Sequence, residues 1–195
     1  MQELIVRAKE LLENGTVARV LGWKKGEHNY DPEVAFFNDA KSLESFVYNG
    51  FCGANLSKYM IEASKMEGKT LVFLKPCDSY SFQQLMKEHR VDREKAYIIG
   101  VGCWGKLDTR KLGTEGILDV EIQGDVLKVS SLYGDETVSY KDAMLERCHV
   151  CKGKEHRVFD EKLLESADTV DADRFAEVEK NRGYEPRREV CLLPG

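Results

Sequence analysis

The chain has 195 residues, 42% hydrophobic and 32% charged, with a net charge of −5. That size fits one domain, or a compact domain with a short appendage, and the composition is that of a folding globular chain rather than a disordered one. The acidic balance argues against general nucleic-acid binding, and no apolar run approaches the roughly 20 residues of a membrane helix, so neither nucleic acid nor a membrane span is expected. The start, Met1 to Arg7, is amphipathic and charged without the basic region and apolar stretch of a secretory signal, which predicts a cytoplasmic protein. In that setting six cysteines are kept reduced, and metal, cluster or redox chemistry becomes the better expectation than a disulfide framework.

Leu4, Ile5, Ala8, Leu11 and Leu12 recur at helical spacing and run into Asn14-Gly15, so a first helix is expected to stop there. Val17 to Trp23 reads as a strand, followed by a polar, turn-like loop from Gly26 to Pro32. Ser42 to Met66 is read as two helices with Cys52 at their junction. Leu71 to Leu74, bounded by Gly68 and Pro76, is the pattern of a strand buried on both faces, which puts Cys77 just past its carboxyl end. Ser79 to His89 reads as a helix, and Ala96 to Val101 repeats the arrangement of buried strand followed by a cysteine, here Cys103. Strand, helix, strand predicts a parallel crossover, whose carboxyl-end loops are where open α/β sheets place ligands.

Ile117 to Gln123 and Val126 to Leu132, around Gly124-Asp125, predict a hairpin. Tyr140 to Arg147 is expected to be a short helix delivering Cys148, and Asp173 to Asn181 a further helix. The fold class expected is α/β: a small parallel or mixed sheet with flanking helices, plus a β-hairpin-rich subregion. The main domain is placed at residues 1–170, with a C-terminal helix and flexible tail at 171–195.

Cys148-His149-Val150-Cys151 is a CxxC element, whose spacing lets two thiolates reach one metal or cluster from a single turn. Cys77 and Cys103 lie in the loops Lys75-Pro76-Cys77-Asp78 and Gly100-Val101-Gly102-Cys103-Trp104-Gly105, where Pro or Gly reshapes the backbone. Four cysteines in three loops match the demand of a cubane cluster, and nearby glycines leave backbone N–H groups free to point at sulfur. A structural zinc site built from the same cysteines, in a non-enzymatic interaction protein, is the alternative, and a redox-active Cys148/Cys151 thiol pair a third reading. Cys52 is either a spare ligand or a buried thiol, and Cys191 is the weakest candidate.

Gly100-x-Gly102-x-x-Gly105 also fits the dinucleotide fingerprint, with Asp119 downstream, but Lys106 to Gly116 lacks the long helix that should open inside it. His28, His89, His149 and His156 show no pairing that points to a triad and are read as solvent-exposed. No catalytic side chain is assigned.

In their order and loop context, Lys75-Pro76-Cys77-Asp78, Gly100-Val101-Gly102-Cys103 and Cys148-His149-Val150-Cys151 resemble the beta subunit family of coenzyme F420 hydrogenases and dehydrogenases. Cys52 to Met60 is similar to a segment of family relatives, and Ala167-Asp168 resembles an element that follows the CxxC. The resemblance covers about residues 17–168 and implies a 4Fe-4S cluster held by Cys77, Cys103, Cys148 and Cys151 in the domain 1–170. It also implies, in many members, a flavin, expected as FAD. The function so implied is that of an electron-transfer subunit of an oxidoreductase, passing electrons between a two-electron carrier, flavin or deazaflavin, and one-electron carriers. Partner proteins would supply further iron–sulfur clusters, because the chain has no CxxCxxC repeat of its own. Lys75, near its strand end, is assigned as a contact for an anionic cofactor.

Overall fold

The computed structural model describes residues 1–113, 115–151 and 155–164. The expected helix at Asp173 to Asn181, the tail 171–195, the Ala167-Asp168 element and Cys191 lie outside these residues.

Helix α1 (Gln2–Glu13) buries Leu4, Ala8 and Leu11 on one face. It stops at Asn14, after which Gly15 takes a φ of +72°, the left-handed conformation that costs glycine least. β1 (Arg19–Lys24) pairs antiparallel with β2 (Glu33–Phe37), Val20 opposite Phe37 and Lys24 opposite Glu33. Between β2 and the next strand the expected helical pair is replaced by 3₁₀ turns at Ser42–Ser45 and Leu56–Tyr59 and by a one-turn helix, α2 (Met60–Ala63). Leu43, Phe46, Leu56, Met60 and Ala63 are nevertheless buried. Their spacing reflects separate anchoring points of a loop that wraps the core, and Cys52 lies in that loop, not between helices.

β3 (Thr70–Leu74) is buried along its whole length, α3 (Pro76–Lys87) follows with Pro76 in its first turn, and β4 (Ala96–Val101) returns parallel to β3. Proline suits that position because its missing N–H is an orphan at any helix start. β5 (Ile117–Gln123) and β6 (Val126–Ser131) form the expected hairpin, extended by a third strand, β7 (Gly134–Ser139). The helix expected over Tyr140 to Arg147 is reduced to one turn, α4 (Glu146–His149), which contains Cys148. The chain then adds a short strand, β8 (Glu161–Leu163), parallel to β4.

The main sheet has the order β2-β1-β3-β4-β8, antiparallel only at β2, and the smaller antiparallel sheet the order β5-β6-β7. The expected α/β architecture is thus present. Trp23, Phe73, Phe82, Ile98 and Ile99, all fully buried, belong to the principal core around the parallel strands. A second core, including Leu107, Leu112, Leu127 and Val129, underlies the small sheet. Each fully buried Leu, Ile or Phe contributes about 1.5–3 kcal/mol relative to exposure, so the parallel strands form a stable platform for what their ends carry. Arg7 on α1 binds Glu161 on β8 at 2.9 Å, fastening that edge strand to the first helix.

Candidate functional site

A cavity of about 410 Å³ opens at the carboxyl ends of β3 and β4, with Cys77, Cys103, Cys148 and Cys151 all on its wall. Cys52 lines it as well. The three cysteine loops singled out in the sequence therefore meet at one place.

Each loop arrives there for a local reason. Cys77 stands in the first turn of α3, immediately beyond β3, and Ser79 Oγ donates to the Pro76 carbonyl at 2.6 Å, tightening that turn. The Cys103 loop is held at both ends by tyrosine hydroxyls: Tyr48 donates to the Gly102 carbonyl at 2.5 Å and Tyr140 to that of Gly105 at 2.9 Å. Cys148 is brought to Cys103 by a short antiparallel contact, Leu107 opposite Met144, flanked by Leu145 N–H to the Lys106 carbonyl at 2.8 Å. Gly105 permits this approach. Its φ is +102°, and a Cβ there would fall on the Met144 sulfur and within 3.4 Å of the Cys148 Cβ. The Lys106 N–H points at Cys148 Sγ, 3.3 Å away.

Beneath the sulfurs, Lys75 is buried together with Asp78, their charged groups 3.3 Å apart. Lys75 Nζ directs hydrogen bonds to the carbonyls of Cys52, at 2.8 Å, and Ala54, at 3.1 Å, and sits 4.8 Å over the Trp23 ring. Asp78 Oδ2 is left within ion-pair distance but without a directed donor. Burial pushes the Asp78 carboxyl above its ordinary range, against the pull of Lys75. The same cause raises the thiols of Cys103 and Cys77 and takes Cys52 up to about 12. Cys77 is the exposed one of these three.

Thiols held protonated in this way bind metal only when a strong Lewis acid displaces the proton. Among the described residues no three His, Cys, Asp or Glu side chains converge on a point as a single ion would require. The donors surround a space instead. Cys52 is 3% exposed and is engaged by its own loop, its sulfur accepting from Asn49 N–H at 3.4 Å. That is the buried-thiol reading of the two left open by the sequence.

A second cavity, of about 570 Å³, adjoins the first and shares Gly53, Lys106 and Arg147 with it. It is lined further by Tyr30, Phe51, Leu107 and Arg110, and Arg110 is already held by Asp108 at 2.8 Å. No helix opens after Gly102, where a 3₁₀ turn at Thr109–Lys111 is the next element, and Asp119 accepts from Asn29 at 2.8 Å. The glycine fingerprint is therefore not a dinucleotide-binding turn.

Sequence reasoning missed His156, which is half-buried rather than exposed and reaches the Leu74 carbonyl at 2.9 Å. Its surroundings are assembled from residues far apart in sequence, and no local pattern announces them. The pins Tyr48 and Tyr140 were missed for the same reason.

No family model matches the chain. It is 26% identical over 196 aligned positions to the F420-dependent formate dehydrogenase 1 subunit beta of Methanococcus maripaludis, covering 96% of this chain and 50% of that protein. It is 28% identical over 99 positions to the F420-dependent formate dehydrogenase subunit beta of Methanocaldococcus jannaschii, covering 51% of this chain and 26% of that one. The chain thus spans half or less of the curated relatives it matches. Its fold is shared with a chain of the F420-reducing [NiFe] hydrogenase complex from Methanosarcina barkeri, at a TM-score of 0.55 and 16% identity, covering 77% of this chain and 62% of that chain. Among the described residues no helix is long and apolar enough to cross a membrane. The chain is thus similar in sequence to two F420-dependent dehydrogenase beta subunits and shares its fold with a chain of an F420-reducing hydrogenase complex, the same direction in which its cysteine motifs point.

Proposed function

We propose that the chain is the electron-transfer part of an F420-linked oxidoreductase and holds a 4Fe-4S cluster through Cys77, Cys103, Cys148 and Cys151. The observation that carries this reading is the gathering of those four cysteines, from three separate segments, around one cavity at the ends of two parallel strands. The donor set fits the group: all-thiolate ligation is that of a 4Fe-4S cluster, and all four cysteines line one cavity. The cluster would supply one-electron storage.

The protein's part is to set that chemistry. Lys75 places a buried positive charge below the site, which favours the more negative, reduced state, and the Lys106 N–H aimed at Cys148 acts in the same sense. The adjoining cavity is the place for a two-electron carrier, FAD or a deazaflavin. Both of these are anionic, and Lys106 and Arg147 stand where the two cavities meet. Lys75, by contrast, is committed to Cys52, Ala54 and Asp78, so its reach to an anionic cofactor is electrostatic. Proteins with further iron–sulfur clusters would complete the path, and a cytoplasmic setting suits reduced thiols.

The test is anaerobic purification and reconstitution of the full chain, with iron, sulfide, zinc and flavin quantified and the visible spectrum recorded. About four iron and four sulfide per chain are expected. Zinc without iron, in a colourless protein, would replace this reading with a structural zinc site. Retention of bound flavin in Lys106→Ala and Arg147→Ala variants at the unchanged level would remove the second cavity from the proposal.

A further inference from the structure

After the CxxC turn the chain returns to the sheet at His156, whose ring lies across the ends of β3 and β4. Its Nε2 is 2.9 Å from the Leu74 carbonyl oxygen. A carbonyl only accepts, so Nε2 carries the hydrogen and Nδ1 is the position open to a proton. The Val101 backbone favours the charged form of the ring. Leu74 ends β3 just ahead of Cys77, and Val101 ends β4 just ahead of Cys103. The ring fits because β4 has glycine beneath it: a Cβ on Gly100 would stand 2.9 Å from the imidazole Cδ2. Phe159 meets the ring edge-on at 6.3 Å.

Lys162, on β8, is the cation that acts against protonation of the ring, and burial acts in the same direction more strongly. Arg157 is turned over the Tyr80 ring, while its N–H donates to Ser79 Oγ on α3 at 2.9 Å. β3 and β4 face the ring with backbone and Gly100, and among the described residues the buried charges Lys75 and Asp78 are paired with each other.

We propose that His156 is a positioning residue, clasping the two strand ends that deliver Cys77 and Cys103, and that it takes up a proton from water when the site gains an electron. This rests on the cluster reading above. The electron comes from a one-electron reductant, an iron–sulfur partner or a chemical donor, and the proton goes to Nδ1, so an N–H bond forms and the added negative charge is balanced. In a low-dielectric setting that added charge favours the imidazolium. The imidazolium then serves two backbone partners, where the neutral ring serves one.

The experiment is a redox titration of the reconstituted full chain between about pH 5.5 and 8.5, the range in which histidine responds. The potential is expected to fall as pH rises, towards a tenfold loss of electron affinity per pH unit, or 59 mV for a one-electron couple. His156→Gln, whose amide still donates to the Leu74 carbonyl but does not titrate, is expected to keep its iron and sulfide and lose the slope. An unchanged slope in that variant overturns the proposal and moves the coupling elsewhere, Asp78 first. A loaded wild-type chain with a flat profile overturns it outright, whereas a chain that binds no iron and sulfide overturns the cluster reading and the proposal with it. If His156→Gln loads poorly, Gly100→Ala displaces the ring without removing it and must lower the slope; an unchanged slope there is equally decisive.

Discussion

The ammonium of Lys75 donates at 2.8 Å to the carbonyl oxygen of Cys52, fastening the end of the central strand to the loop that forms the opposite wall of the cysteine cavity. Because Asp78 is buried beside it, Lys75→Met leaves an uncompensated carboxyl group and two unserved carbonyls. The expected loss is about 3–5 kcal/mol, the range for breaking a buried pair from one side. Urea unfolding measures it, and Lys75→Met/Asp78→Asn should recover part of the loss, which independent effects at the two positions would not do.

Iron content distinguishes the four proposed ligand cysteines from Cys52. Serine at Cys77, Cys103, Cys148 or Cys151 is expected to lower iron and sulfide per chain sharply, whereas Cys52→Ala should retain both. Cys52 also predicts its own chemistry: burial holds its thiol up to about 12, so in the folded chain it stays protonated at pH 8. Iodoacetamide followed by peptide mass spectrometry should label it only after unfolding, and rapid native labelling would place it outside the core.

Much of this site was readable in advance. The unbroken apolar runs at Thr70–Leu74 and Ala96–Val101 announce strands covered on both faces, and each is followed at once by its cysteine. The same logic fails where burial is not periodic. Leu43, Phe46, Leu56 and Met60 suit a helix by spacing, yet Asn49-Gly50, Gly53 and Asn55 break the backbone between them, and the Asn55 side chain accepts from Ser57 N–H to start a new turn. β7 gave no signal because nearly all of Gly134–Ser139 faces solvent, leaving no alternation to read. His156 looked like a surface histidine because its partners, Leu74 and Gly100, come from other strands.

Gly105 offers a compact test of how the loops are joined. With φ at +102° and Met144 directly over it, Gly105→Ala combines backbone strain with a clash against the segment that carries Cys148. Cluster loading should fall while the far-ultraviolet circular dichroism is kept, because β3, α3 and β4 are untouched. Normal loading would mean that the 105–108 and 143–148 segments are not held as described.

Stability should also fall on mild acidification. Burial lowers the His156 pKa below its ordinary 6.5, so between that value and the folded-state one the unfolded chain binds more protons. The contribution is present above pH 6.5 and is lost as pH drops through the folded pKa. Asp78 has the opposite sign, since its raised pKa makes the fold favour the protonated carboxyl as pH falls towards 3.8. Urea midpoints at steps from about pH 8 to pH 5 should therefore decline in wild type and stay flatter in His156→Gln. Parallel curves would show that the ring contributes nothing to the pH dependence.

The order of the strands also sets an order in time. A ribosome finishes β1, β3, α3 and β4 before Cys148 is translated, so the parallel platform can close with Cys77 and Cys103 in place while the other two sulfurs do not yet exist. The segment that brings Cys148 and Cys151 then continues into β8, and docking that strand brings its Glu161 to Arg7 on the first helix. Completing the set of four sulfurs and extending the sheet beyond β4 are successive acts of one stretch of chain, so under the cluster reading the nascent protein becomes receptive to metal only once that stretch has followed the platform.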